Sequence, residues 1–368
     1  MSDVPVKNRR HLREILQENL ITETEVEDHV PAEEEEAEEA RKRTKSQILE
    51  ANVSFEDYVV STRDAFEFAR SEDSTLWNIM FHGSLAGYLD IANPRLWILH
   101  SIGAAKEMNE NVRNMTEKDN SMIDLPWLSS NSLQTIGAFG KTSAGFSLKY
   151  RNRFLEAGTE IDVEDMTMRF WGSAALELIE QLKKNKRIEG GLSLNGIGLI
   201  HQFEKGYVKE QVSWSGRIMA IRGDSIDSHF SVLNKVQTYY QNLLDVLESE
   251  YRFSYKSLPH GVAFSGESLK ILFERRIGNL RDFVNSIFST TQPFRLWGVT
   301  KELEPDRLKV KAVDLHSGGR IDFEIEPTQM TIYLQAGACA NVVTRLFTNL
   351  QSTFDARSQL VGYDEPIM

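Results

Sequence analysis

The sequence predicts an α+β protein, with a helical N-terminal region followed by two α+β halves with antiparallel meanders. Three observations carry that expectation. Apolar residues recur at helical spacing near 225–250, 266–288 and 340–356. Elsewhere the period drops to two, most clearly at Ile321, Phe323 and Ile325. Ahead of both halves, ten acidic residues and no Lys or Arg fall between Glu23 and Glu39, and so much unpaired charge is too costly to bury in a core.

At 368 residues, with 41% hydrophobic and 26% charged, the chain suits a soluble globular protein, long enough for two core-forming domains or for one large one plus appendages. The best apolar run, Leu96–Leu99, stops at His100 and Ser101, far short of a membrane span. Lys7, Arg9 and Arg10 are followed by no apolar stretch, so no secretory signal is expected. One cysteine excludes an intramolecular disulfide framework and a Cys-cluster zinc site. A cytoplasmic protein is the simplest expectation. The acid run accounts for −10 of the net charge of −12, and residues 46–368 carry −7. That body is mildly acidic, which argues against a generic DNA coat.

Taken in order, residues 1–45 read as a charged extension, mobile or helical and solvated. Within it Leu12, Ile15, Leu16 and Leu20 predict a short amphipathic helix over 9–21, which needs a partner surface on this protein or another. Residues 46–120 read as a helical region, with dense aromatics over 54–116 and a break at Pro94. Residues 121–260 read as α+β: a strand over 146–154, a helix over 163–186, strands over 192–203 and 207–221, and a helix over 225–250. Residues 261–368 read as a helix over 266–288, strands at 294–302, 307–315, 319–326 and 329–335, and a closing helix over 340–356. Phe273 and Leu280 are expected in the core of this last region.

No motif names a reaction. Gly137-Ala138-Phe139-Gly140-Lys141-Thr142 invites comparison with a phosphate-binding loop, but Thr135 stands where the first glycine is required. Cys339 sits where a strand passes into the last helix, a place that can lower a thiol pKa. His316, after Asp314, is the nearest candidate base, so Cys339, His316 and Asp314 form the one candidate catalytic set. Small buried cysteines and polar hairpin turns give the same residues an ordinary structural explanation. No pair of histidines has metal-ligand spacing, and neither a metal nor a cofactor is expected.

The sharper signal is basic. Lys149, Arg151 and Arg153 alternate on one strand, and Arg307, Lys309 and Lys311 on another. Side chains two apart share a face at about 7 Å, close to the phosphate spacing of one nucleic-acid strand. Lys183, Lys184, Lys186 and Arg187 add a basic helix end. A solvated sheet face or a charged, aggregation-resistant edge explains the pattern equally well. The expected function is a non-catalytic accessory component of a multi-protein assembly, with a sequence-independent nucleic-acid surface on these strands and the acid run as its mask. Multi-gene bacterial systems, phage defence among them, contain accessory subunits of this kind, although no residue points to one. Two alternatives stand beside it: an enzyme, hydrolytic in one version, with a dispersed site around Cys339, His316 and Asp314, and a purely structural interaction protein.

Overall fold

The computed structural model describes residues 4–21, 43–117, 122–140, 142–151, 165–172, 191–203, 206–362 and 365–368. The acid run, Arg153 and the basic stretch 183–187 lie outside the described residues. The chain divides into two compact units. Unit 1 holds residues 1–126, 136–144 and 197–238, and unit 2 holds 127–135, 145–196 and 239–368.

Unit 1 begins with α1 (Arg9–Glu18), capped by Asn8, whose side chain accepts from the His11 backbone N–H. Its apolar stripe is buried against the body of the same unit, with Val6, Leu12, Leu16 and Leu20 in one cluster with Leu76, Tyr88, Val208 and Ile226. Asn78 ties the segment down by accepting from Val6 N at 2.7 Å, and Arg9 pairs with Asp90 at 2.5 Å. The N-terminal extension is therefore not mobile at 4–21, because α1 finds its partner surface on its own chain.

Behind α1 runs β1 (Lys45–Ala51), buried along its whole length. It pairs antiparallel with β5 (Leu96–Ser101) on one side and β11 (Arg217–Gly223) on the other. Outward from β5 lie β4 (Ser84–Asp90), β3 (Leu76–Phe81) and β2 (Phe66–Arg70). Outward from β11 comes β10 (Gly206–Ser213), and the short β6 (Ile123–Asp124) pairs with β1. β9 (Leu192–Phe203) falls partly in each unit, and β7 (Thr142–Arg151) pairs antiparallel with β8 (Asp165–Trp171), mostly in unit 2. Two helices, α2 (Phe55–Thr62) and α3 (Ala105–Glu117), supply Phe55, Tyr58, Met108 and Val112 to a core shared with Leu49, Trp97 and Leu99. This corrects the helical region read over 46–120. Residues 66–101 are four antiparallel strands, and the aromatics Phe66, Phe68, Trp77 and Trp97 pack from a sheet. His82 and Gly83 turn β3 into β4, both with positive φ, the mirror-image turn that suits a two-residue hairpin.

Unit 2 is built on a six-stranded sheet, in the order β15 (Leu296–Glu304), β16 (Arg307–Asp314), β17 (Arg320–Glu326), β18 (Gln329–Leu334), β14 (Leu269–Leu272), β19 (Gln359–Val361). One face alternates into the core through Leu308, Val310, Phe323, Ile325 and Ile332. The core is centred on α7 (Asn341–Thr353), of whose 13 residues all but Ser352 are buried. Phe273, Phe283 and Phe354 stack edge to face beside it. The meander and the closing helix lie where the sequence places them. The helix read over 266–288 is instead β14 and, after Asn279 caps it, α6 (Leu280–Ile287). Phe273 and Leu280 are buried as expected. Residues 165–171, read as helix, form β8, and 207–221 is two strands around a Gly216 turn rather than one. The remaining helices are α4 (Ser130–Gly137) and α5 (Ile226–Glu250), the latter matching the predicted helix. Between α5 and β14, β12 (Ser254–Leu258) and β13 (Gly261–Ser265) form a separate two-stranded hairpin.

Candidate functional site

Among the described residues of unit 2, the β12–β13 hairpin stands out by its exposure. All ten of its strand residues are exposed, so neither face packs on a core. Five registered pairs hold the ladder, and Ser254 and Ser265 Oγ atoms meet at 2.6 Å across its base. Tyr255 and Phe264 are direct cross-strand partners, 70% and 77% exposed. Val262 shares their face by the period of two, and Leu258 is exposed on the other. Isolated two-stranded ribbons are marginal in water, and large exposed apolar side chains clustered on one mark an interaction surface. The signal is present in the sequence as Tyr255-Lys256-Ser257-Leu258 and Val262-Ala263-Phe264 around Pro259-His260-Gly261, but the alternation is brief.

The two basic strands lie in different sheets, β7 in the larger and β16 in the six-stranded one. Lys149 is half-buried opposite Thr167, and Arg151 stands in register with Asp165. On β16 the cations meet a matching row of acids on β17. Lys309 is opposite Glu324 and Lys311 opposite Asp322. Arg307 pairs with Glu324 and, at 3.7 Å, with Glu326, while Lys309 Nζ lies 3.6 Å from Glu324. The hydrogen bond from Arg307 holds Glu324 below the usual carboxylate range. The face carrying Arg307, Lys309 and Lys311 is thus charge-matched by cross-strand pairing.

Asp314, His316 and Cys339 are all buried. Asp314 is committed to Arg345 of α7, and it also accepts from the backbone N–H of His316 at 3.2 Å and from Ser317 Oγ at 2.8 Å. Burial alone would raise its pKa, but Arg345, His316 and these bonds outweigh that and leave it lowered. Cys339 Sγ accepts from the Asn341 N–H at 3.3 Å. The acid thus orders a turn and anchors a helix.

Over residues 1–368 the sequence matches the family described as MJECL33-like protein. The chain belongs to that family. It is 24% identical over 313 residues to the uncharacterized protein MJECL33 of Methanocaldococcus jannaschii, covering 74% of this chain and 75% of the relative. No solved structure matches it. Among the described residues, no helix is long and apolar enough to cross a membrane.

Unit 1 of this MJECL33-like chain holds a polar chain that sequence reasoning missed. Ser46 Oγ lies 2.8 Å from both His100 Nδ1 and His229 Nε2, and His229 Nδ1 meets the Glu210 carboxylate. All four residues are fully buried. The order Ser–His–Glu repeats the connectivity of a catalytic triad, but with no exposed nucleophile it acts as a structural clamp between β1, β5, β10 and α5. Burial, then His229, Arg9 and Arg13, push the His100 pKa down to about 3. Burial raises that of Glu210 despite His229. Next to Ser46, Lys45 donates to the carbonyls of Gly103 at 2.6 Å and Arg43 at 2.8 Å. Desolvation, then Arg217 and Arg43, lower its pKa to about 8, with Glu107 opposing. Residues 46, 100, 210 and 229 are so far apart in sequence that no spacing rule connects them.

Proposed function

We propose that the protein is a non-catalytic accessory subunit of a cytoplasmic multi-protein assembly, docking through the β12–β13 hairpin. The observation that carries this reading is the hairpin's complete exposure together with its Tyr255–Phe264 pair. Residues 254–265 include Lys256 and no acid. The fitting partner is therefore a second protein with an apolar groove, which takes the aromatic pair and Val262 on one face of the hairpin, while Lys256 on the other face disfavours a basic partner. The ion pairs of Arg307 and Lys309 favour a protein partner over a polyanion on that part of the surface.

The test is Tyr255→Ser with Phe264→Ser in the full-length chain, isolated from its native cells through a tag. Both side chains are exposed, so the fold is expected to survive. Losing two buried aromatics weakens docking by at least about 2–4 kcal/mol, a thirty-fold or greater change. Native mass spectrometry is expected to show the wild type in a heteromeric complex and the double variant alone. A photocrosslinker at position 264 is expected to capture the same subunit. A wild type that is already alone, or a variant that keeps its full complex, overturns the reading.

A further inference from the structure

A cavity of about 430 Å³ opens in unit 1 where the ends of β4 and β5 meet the first turns of α3. Its size lies within the range of small-molecule sites. Its polar wall is Ser84, Ser101, Glu107, Glu110 and Asn111, and no Lys or Arg lines it. Phe81, Leu85 and Ile102 supply an apolar wall.

Two of the polar groups are nearly buried yet have hydrogen-bonding capacity to spare. Asn111 is 9% exposed; its amide nitrogen donates to the Ala86 carbonyl at 3.3 Å, which leaves its oxygen for the cavity. Ser101 is 5% exposed; its Oγ accepts from Gly103 N at 3.1 Å and keeps a second lone pair to accept from a ligand. Glu107 accepts from Ala104 N at 2.9 Å. That carboxylate lies over Gly103, where a Cβ would come within 2.7 Å of it, so the glycine makes room for the acid at the cavity wall.

The wall is thus rich in acceptors and carries two negative charges. Both are at the N-terminal half of α3, whose dipole contributes only about half a positive charge. Lys45, whose ammonium donates to the Gly103 carbonyl and feels Glu107, offsets one carboxylate; the second still outweighs the half charge of the dipole, so the complementary guest is a cation with several N–H donors. A bare metal ion fits poorly, since the described residues hold no group of three His, Cys, Asp or Glu side chains able to ligate one. The apolar wall suits a methylene chain. We propose that this cavity binds an aliphatic primary amine in its ammonium form. The head group sits on Glu107, Glu110, Asn111 and Ser101, and the chain lies along Leu85 and Ile102.

The test is calorimetric titration of the full chain with 1,5-diaminopentane, with 1,5-pentanediol as the neutral isostere. Saturable binding of the diamine, undetectable for the diol, is expected. Glu110→Gln and Glu107→Gln keep the shape, and the amide oxygen introduced by Glu107→Gln still accepts from Ala104 N, so each is expected to weaken binding at least ten-fold. Glu56→Gln, at an exposed position of α2, is expected to change nothing. If Glu107→Gln folds poorly by circular dichroism, Glu110→Gln carries the test, since its side chain is exposed. No saturable binding, equal binding of the diol, or an equal loss in Glu56→Gln would each overturn the proposal, the last by reducing binding to general attraction to an acidic protein.

Discussion

Each unit buries an acid against a base, and the two clusters meet falling pH in different ranges. In unit 2, Asp314 faces Arg345, which stays charged at any ordinary pH. The lowered pKa of Asp314 means that its contribution is complete above the usual aspartate value of 3.8 and is lost only as pH falls below it. In unit 1, Glu210 leads through His229 and Ser46 to His100. His100 titrates near 6.5 when unfolded and about 3 when folded, so its contribution is complete above 6.5 and drains away between 6.5 and 3. Equal burial therefore does not mean equal acid resistance. The identity of the base sets the pH at which a buried polar cluster begins to fail.

The largest effect expected from breaking this contrast is at Arg345. Arg345→Leu leaves Asp314 buried without its counterion and is expected to cost about 3–5 kcal/mol in urea unfolding at pH 7. Adding Asp314→Leu should recover much of that loss, because the second substitution removes the stranded charge. A single variant as stable as wild type would show that the pair is not what anchors α7.

A slope separates the clusters further. The stability difference between wild type and His100→Gln should shift against the wild type by up to about 1.4 kcal/mol per pH unit below pH 6. Glu210, whose pKa is raised from 4.5, takes up its proton more readily when folded and returns part of the loss in both proteins. The difference therefore isolates His100. A difference constant from pH 7 to pH 4 would mean that His100 is not held neutral.

The smallest effect is on the alkaline side. Lys45 is held at about 8 against an unfolded value of 10.5, so the unfolded chain binds the proton more tightly. Stability is expected to rise between pH 8 and 10.5 by at most about 1.4 kcal/mol per unit, and Lys45→Met should flatten that rise. Urea midpoints across this range check it.

Much of unit 2 was legible because its signals are local. Ile321, Phe323 and Ile325 alternate within one strand, and Val342, Val343, Leu346, Phe347 and Leu350 mark one helix. The strands over 66–101 were not legible. The dense aromatics there mimic a helical stripe, and the His82-Gly83 turn lacks the Asn-Gly or Asp-Gly pair that announces a hairpin. Residues 266–288 mislead for the opposite reason. Leu269 and Ile271 belong to a strand and Phe283 and Ile287 to a helix, yet their sum imitates one continuous period. Of the candidate residues, sequence singled out Asp314 as a candidate catalytic acid beside His316 and Cys339; its burial against Arg345, 31 positions on, had no local signal. The basic row of β16 was visible, whereas its neutralising row on β17 needed the register. The cavity beside α3 needed the approach of two strand ends and a helix that no local pattern encodes.

The burial of α7 bears on how the protein is made. The ribosome delivers β14 to β18 before the helix that covers their apolar face. Until Phe354 clears the exit tunnel, most of that face lacks its cover, Phe288 on Phe323 apart, and Asp314 is without the guanidinium that compensates it. Unit 2 therefore completes its core late in synthesis. A chain interrupted between Leu334 and Arg345 would leave a sheet with an open apolar side, a substrate for chaperones and proteases.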